Sequence, residues 1–216
     1  MSRISFNAIL FRAIDLARRS RRDTRGVAAI EFAFIAPIMV FMFIGAVELS
    51  QAIIVDRRIT QASSSIADLV ARQENKMLIS EMTDIVRIGG FIMAPYDQAP
   101  LQVVVRNVSS SPSDEKKTKQ SWQCTAAGAN ATPVCTCMNE TYLLPSGLVT
   151  TNDSVVVAEV TYTYTPRVFD YFLKSGSPGK GGPGTYTLNE RVFMKPRGQA
   201  AILQQKNGTD CPSPTY

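Results

Sequence analysis

The sequence predicts an α+β chain, with a long N-terminal helix, a helical partner for its second half, and then an antiparallel sheet. Three observations carry this. No charged residue lies between Phe32 and Val47. Beyond Glu48 the sequence turns amphipathic, with Ile59, Ala62, Ile66, Leu69 and Gln73 in a 3-4-3-4 spacing. From Leu101 onward the apolar period falls to two. A 3–4 spacing marks a helix face and strict alternation marks a strand face. Helices followed by a run of strands make an α+β class.

Composition bounds the function. The 216 residues are 45% hydrophobic and 19% charged. That is one domain of ordinary size plus an extension, and it excludes a wholly disordered chain and a multi-span channel. The absence of His excludes His-based triads and His-ligated zinc or haem. The net charge of +5 does not spread over a nucleic-acid-binding face. Residues 1–25 hold seven Arg and two Asp, and the rest of the chain balances. Positive charge massed ahead of an apolar run is a membrane topology signal, which sets residues 1–25 on the cytoplasmic side.

The elements follow in order. Ile4, Leu10, Ile14 and Leu16 share residues 4–18 with Arg12, Asp15 and Arg18. That pattern reads either as a basic amphipathic helix on an anionic leaflet or as a frayed leader. From Val27 to Val47 the one charge is Glu31. About 20 helical residues span a bilayer core of about 30 Å, so this is a retained transmembrane helix, with a mild kink at Pro37. The amphipathic continuation carries Asp56, Arg57, Arg58 and Asp68 off its stripe. It reads as one helix to about Gln73, the alternative being two helices hinged near Glu48. A second helix is expected from about Ser80, with Met82, Ile85, Val86 and Ile88–Gly89 on one face, ended by Gly89–Gly90 and Pro95.

Leu101–Val108, Ser154–Thr165 and Tyr186–Met194 are the strong strand candidates, rich in β-branched and aromatic residues. In the second of these, Val156, Ala158, Val160, Tyr162 and Tyr164 share one face. Ser121–Cys124 and Cys135–Met138 are weaker candidates. Ser109–Gln120 reads as a polar, Lys-rich loop, and Ser175–Gly184 as the Gly/Pro/Ser tip of a hairpin. The expected organisation is a basic segment 1–26, a transmembrane helix 27–55, a helical extension 56–95, a β-rich domain 96–203 and a loose tail 204–216.

The junction reads Arg25-Gly26-Val27-Ala28-Ala29-Ile30-Glu31-Phe32-Ala33-Phe34-Ile35-Ala36-Pro37. Basic residues, a Gly, an apolar run and a Glu five residues into that run stand in succession. This stretch resembles the TadE-like minor pseudopilins of bacterial tight-adherence (Flp-type) pilus systems. Glu48, the Glu159–Pro166 stretch and Met194-Lys195-Pro196-Arg197 are weaker points of likeness. The resemblance implies a single-pass inner-membrane subunit of pilus assembly with a periplasmic C-terminal domain. It implies that an aspartyl prepilin peptidase cuts after Gly26, leaving Val27 as the new N-terminus. Glu31 and Phe32 would then serve helix pairing and assembly. On position alone, Glu31 either answers a freed amine on Val27 or snorkels to the headgroups. Implied partners are the lipid bilayer, the peptidase, other pilins or pseudopilins and the Tad inner-membrane assembly proteins. Nucleic acid, metals and cofactors are not expected.

Cys124, Cys135, Cys137 and Cys211 all follow the apolar run. A periplasmic location lets disulfides persist. Joining Cys135 to Cys137 closes a very small ring, so two schemes remain, each pairing one of them with Cys124 and the other with Cys211. A reducible Cys135/Cys137 pair, making the chain a membrane-anchored thiol–disulfide enzyme, is the alternative from another class. An uncut scaffold protein of the same pilus machine is the alternative within the class. Five Asn-x-Ser/Thr triplets, at Asn107, Asn130, Asn139, Asn152 and Asn207, read as chance. Trp122, Tyr162 and Tyr164 read as packing residues.

Overall fold

The computed structural model describes residues 26–74, 76–166, 185–198, 201–206 and 209–216. The amphipathic stretch at 4–18, the hairpin tip at 175–184 and Asn207 lie outside these. The chain divides between Val47 and Glu48 into two compact units.

The first unit contributes the apolar part of helix α1 (Val27–Ala71). Val27 to Val47 rise about 30 Å at 1.5 Å per residue. Pro37 lies inside the helix without ending it. The α1 helix is long and apolar enough to cross a membrane.

The second unit holds the core. Its share of α1 buries Val55, Ile59, Ala62, Ile66, Ala67 and Val70. The helix is continuous through Glu48, so the two-helix alternative does not hold. Helix α2 (Ile79–Met93) starts where the Leu78 N–H donates to Glu81 Oε2 at 2.8 Å. Sequence expectation placed its end at Gly89–Gly90, but it runs one more turn to Met93. The glycines serve close packing instead of termination. A Cβ at position 90 would fall 2.2 Å from Ala129 Cβ, and one at position 89 would fall 2.7 Å from Ile66 Cδ1. The buried face of α2 is Met82, Ile85, Val86, Gly89, Gly90 and Met93; Ile88, expected there, is exposed.

Strands β2 (Leu101–Ser110), β3 (Thr118–Ala127), β4 (Val134–Thr141), β5 (Ser154–Tyr164) and β6 (Tyr186–Met194) form an antiparallel sheet in the order β4-β3-β2-β5-β6. One face carries Val103, Val105, Trp122, Cys124, Val156, Ala158, Val160 and Tyr162 into the helix-backed core. At one end of the opposite face, Val108, Val149, Val155 and Val157 make a smaller cluster. A strand with apolar residues on both faces is a central one, and β5 lies between β2 and β6.

Two expectations are corrected. The Lys-rich loop shrinks to residues 111–117, because β2 and β3 stay paired out to Ser110 and Thr118. The polar side chains there are buried through hydrogen bonds, Ser110 Oγ donating to the Thr150 carbonyl and Thr118 Oγ1 to the Tyr142 carbonyl, so this stretch of strand shows no apolar alternation. The C-terminal stretch is not loose. Strand β7 (Leu203–Lys206) pairs in parallel with β1 (Lys76–Met77), and β8 (Thr209–Asp210) pairs back on β7. Lys76 Nζ lies 2.7 Å from Asp210 Oδ2.

Candidate functional site

The junction residues occupy the start of α1. Gly26 precedes its first residue, Val27. Among the described residues, a Cβ at position 26 meets nothing within 4 Å, unlike those at positions 89 and 90, and its φ lies outside the left-handed range. Neither packing against the described residues nor backbone conformation therefore requires glycine here. Beyond it the helix presents apolar side chains all round: Ile30, Phe32, Phe34, Ile35, Ile38, Met39 and Phe43 are exposed. Glu31 is exposed among them and has no ion pair with another described residue. A helix that is apolar on every side is suited to lipid or to other apolar helices.

The cysteines form two bridges, Cys124–Cys135 and Cys137–Cys211. The first joins neighbouring strands, where Cys124 and Cys135 stand opposite in register. The second ties the C-terminal segment to β4, with Cys211 buried and Cys137 exposed. Cys135 and Cys137 are thus in different bridges and form no dithiol pair of their own.

The Glu159 stretch builds a polar ladder on the sheet face away from the helices. Gln123, Arg106, Glu159 and Arg191 come from β3, β2, β5 and β6 in turn. The Arg106 Nε donates to Gln123 Oε1 at 3.1 Å, and its Nη1 donates to Glu159 Oε2. The Arg191 Nε donates to Glu159 Oε1 at 2.6 Å. Burial pushes the Glu159 carboxyl upward, but Arg106 and then Arg191 outweigh it and hold it below the ordinary glutamate value. The ladder satisfies a half-buried carboxylate and fixes strand register. It offers no open position for a reacting group.

The late Lys195 and Arg197 are clasps. Lys195 Nζ donates to Asp153 Oδ2 at 2.6 Å. Burial raises the Asp153 carboxyl, and Lys195 with the Thr150 and Ser154 amides brings it below its ordinary value. The Arg197 N–H donates to the Ala71 carbonyl at 2.9 Å, and its guanidinium to Asp68 Oδ1 at 2.5 Å, closing the end of α1. The backbone amide of Arg197 thus satisfies one of the carbonyls left unpaired at the helix C-terminus.

Sequence reasoning missed four structural roles. Arg58, placed off the buried stripe, donates from Nη1 to the Ile92 carbonyl at 2.8 Å and to the Ala94 carbonyl, and lies over the Tyr96 ring. Asn107 is buried and donates to Ser121 Oγ at 2.9 Å, beside a β3 bulge where the register shifts. Asn139 donates to Thr215 Oγ1 at 2.9 Å, and Asn152 takes the left-handed conformation at φ 58°. Each of these three asparagines has a structural position of its own, apart from the triplet it begins. The tripeptide spacing drew attention to each, but it carries no information on these roles.

No curated protein and no solved structure matches this chain. The family model TadE, described as TadE-like protein, matches residues 26–68, so this stretch, from the glycine ahead of the apolar run into the half-buried part of α1, is TadE-like as its junction motif indicates.

Proposed function

We propose that the chain is a TadE-type pseudopilin, a non-catalytic, single-pass component of a bacterial Flp/Tad pilus assembly system. The coincidence at Gly26 supports this best. The family match begins at that residue, the apolar helix begins at the next, and packing against the described residues makes no demand for glycine there. A protease that cuts at a membrane face must bring the backbone close, and a residue without Cβ permits that approach. In this reading an aspartyl prepilin peptidase cuts between Gly26 and Val27, and the chain is its substrate. Residues 1–25 lie in the cytoplasm, with the sheet domain in the periplasm. Cutting removes the arginine-rich segment that holds the N-terminus at an anionic surface. The apolar helix is then able to move from lipid onto other pilin helices, with Glu31 meeting the new amine of Val27 and Phe32 packing beside it.

The mature N-terminus tests this. Protein extracted from cells with an intact peptidase should begin at Val27, and from peptidase-deficient cells at Met1 or Ser2. A start at Met1 or Ser2 in both strains favours the uncut scaffold. Orientation is tested separately. A reporter enzyme active only in the periplasm, fused after Thr165, should be active, and inactivity there with activity at the N-terminus would reverse the topology.

A further inference from the structure

The two ends of the sheet lie at different heights along α1, and hydrogen bonds fix each of them. Helix α2 runs antiparallel to α1. A Cβ on Gly89 would meet Ile66, Arg58 Nη1 donates to the Ile92 carbonyl at 2.8 Å, and Tyr96 Oη donates to Gln51 Oε1 at 2.7 Å. The next residue takes hold of the sheet, because Tyr162 Oη donates to the Asp97 carbonyl at 2.9 Å. Tyr162 stands opposite Leu101 on β2 and Leu188 on β6, and Tyr164, next on that face of β5, stands opposite Tyr186. At the other end β6 finishes at Met194, and the Arg197 N–H donates to the Ala71 carbonyl at 2.9 Å. β6 therefore runs alongside α1 from the level of Gln51 toward that of Ala71. The lengths agree: β6 covers about 26 Å at the rise of a strand, and α1 from Gln51 to Ala71 about 30 Å at the rise of a helix.

Gln51 lies where the surface of α1 is still apolar. Leu49, Ile53 and Ile54 around it are exposed apolar residues, and Asp56 and Arg57, next along the helix, are exposed and charged. A helix leaving a bilayer shows such a step at the hydrocarbon–headgroup boundary. The sheet end at this level is the one built from tyrosine. Tyr162 and Tyr164 are buried in it, Tyr96 is half-buried, and Tyr186 is 57% exposed. Tyrosine concentrates at that depth of a bilayer, where its ring meets lipid and its hydroxyl meets water.

We infer that the tyrosine end of the sheet stands against the bilayer surface, with Tyr186 entering the phospholipid headgroup layer and the opposite end of the sheet held away from it. The occupant is lipid, because Leu49, Ile53 and Ile54 expose apolar side chains at the same level of the helix that enters the membrane. This rests on the reading that α1 spans the bilayer. The bonds from Tyr96 to α1 and from Tyr162 to Asp97 set the height of this end, and the bond from Arg197 to Ala71 holds the far end along the same helix. The sheet is thus fixed end-on to the membrane and is not free to lie flat on it.

The full chain, reconstituted in phosphatidylcholine–phosphatidylglycerol vesicles with lipids brominated near the headgroup end of the chains, tests this by tryptophan quenching. Trp122 is buried and common to all variants. Phe34→Trp reports whether α1 is inserted, and Tyr186→Trp reports the tyrosine end. Leu143→Trp reports the opposite end. Leu143 is exposed and follows Tyr142, whose N–H donates to the Thr118 carbonyl, and Thr118 stands opposite Ser110, at the end of β2 away from Leu101. The inference expects bromine to reduce the emission of Phe34→Trp and Tyr186→Trp, and Tyr186→Trp to shift blue, with Leu143→Trp unchanged. Quenching of Phe34→Trp with Tyr186→Trp behaving like an unquenched Leu143→Trp overturns the inference and leaves the membrane-spanning reading standing. Equal quenching at Tyr186→Trp and Leu143→Trp means that the sheet lies flat, and overturns it as well. Protection of Tyr186→Trp from aqueous iodide without bromine quenching assigns this end to a protein contact and also overturns it. Loss of quenching at Phe34→Trp overturns the spanning reading, and the inference with it.

Discussion

The indole Nε1 of Trp122 donates to the carbonyl of Ile202 at 2.6 Å, joining the middle of β3 to the C-terminal segment across 80 positions of sequence. Both residues are fully buried. The C-terminal segment is thereby part of the core, held also by the Cys137–Cys211 bridge on the neighbouring strand, where Cys137 stands directly opposite Trp122.

Replacing Trp122 with Phe keeps most of the ring and removes the donor. A buried carbonyl left without its partner costs about 1–3 kcal/mol. Chemical denaturation should show that loss. Limited proteolysis should show faster cleavage beyond Arg197, and unchanged C-terminal resistance would mean that the hydrogen bond does not anchor the segment.

The two bridges should differ in worth and in ease of opening. Loop-closure entropy assigns about 4 kcal/mol to the bridge with a sequence separation of 74 and about 3 kcal/mol to the one with a separation of 11. Cys137 is exposed, whereas Cys124 and Cys135 are both buried. Graded reductant followed by alkylation and peptide mass analysis should label Cys137 and Cys211 before Cys124 and Cys135. The opposite order would show that exposure does not govern reduction here. Cys124→Ser should lower yield or protease resistance.

The parts of the fold that follow a single period were legible in the sequence. The α1 stripe from Ile59 to Leu69 and the alternation of β5 are examples, because burial on one face imposes that period. Features set by meeting surfaces were not legible. Gly89 and Gly90 look like a helix stop, yet they sit mid-helix, because only the presence of Ile66 and Ala129 opposite reveals their use. The bulge at Ser121 breaks the alternation of β3, so only its fragment from Ser121 to Cys124 was visible. The tail gave no local signal, since its order comes from Cys137, Trp122 and the short β1 strand, all distant in sequence. At the junction, residue order alone displayed Gly26, Val27, Glu31 and Phe32, because that motif is read along the chain and not across a fold.

Acid should weaken the sheet through Glu159. Burial raises its proton affinity, and the stronger opposing effect of Arg106 and Arg191 leaves the folded value below the ordinary 4.5. A group whose folded value is depressed contributes stability that is present above its unfolded value and is lost as pH falls through the folded one. Stability should therefore decline as pH drops below about 4.5, the unfolded glutamate value. Glu159→Gln should cost about 1.5–3 kcal/mol at neutral pH, the range for hydrogen bonds to a charged group, and should flatten that decline. A variant with the same acid slope as the parent would assign the acid sensitivity to other carboxylates, with Asp153 the next to replace.

The two helix glycines should respond unequally to alanine. At position 90 the new methyl meets Ala129 Cβ at 2.2 Å, and neither side chain has a rotamer that yields. At position 89 it meets the Cδ1 end of Ile66, which can turn aside. Overpacking of this kind costs about 1–3 kcal/mol. Gly90→Ala should fall at the upper end of that range or above, and Gly89→Ala below it, offset in part by the better helix propensity of alanine. Thermal unfolding compared across the two variants checks the order.

Gly26 completes the comparison and separates a requirement of folding from a requirement of processing. No described residue lies within 4 Å of a Cβ at that position, so Gly26→Val should leave the unfolding transition of the sheet domain where it is. If the residue is glycine because a peptidase must approach its backbone, the same variant should accumulate as the uncut precursor in cells that process the parent. Glu31→Ala should be cut normally, since the carboxylate lies beyond the scissile bond. It should then assemble poorly if, as proposed, Glu31 meets the new Val27 amine in an apolar setting. Glu31→Gln keeps the shape without the charge, so assembly as poor as that of alanine would identify the charge as what matters. Parent protein found uncut beside an active peptidase would remove the purpose assigned to Gly26 and leave Glu31 as a carboxylate that reaches the headgroups.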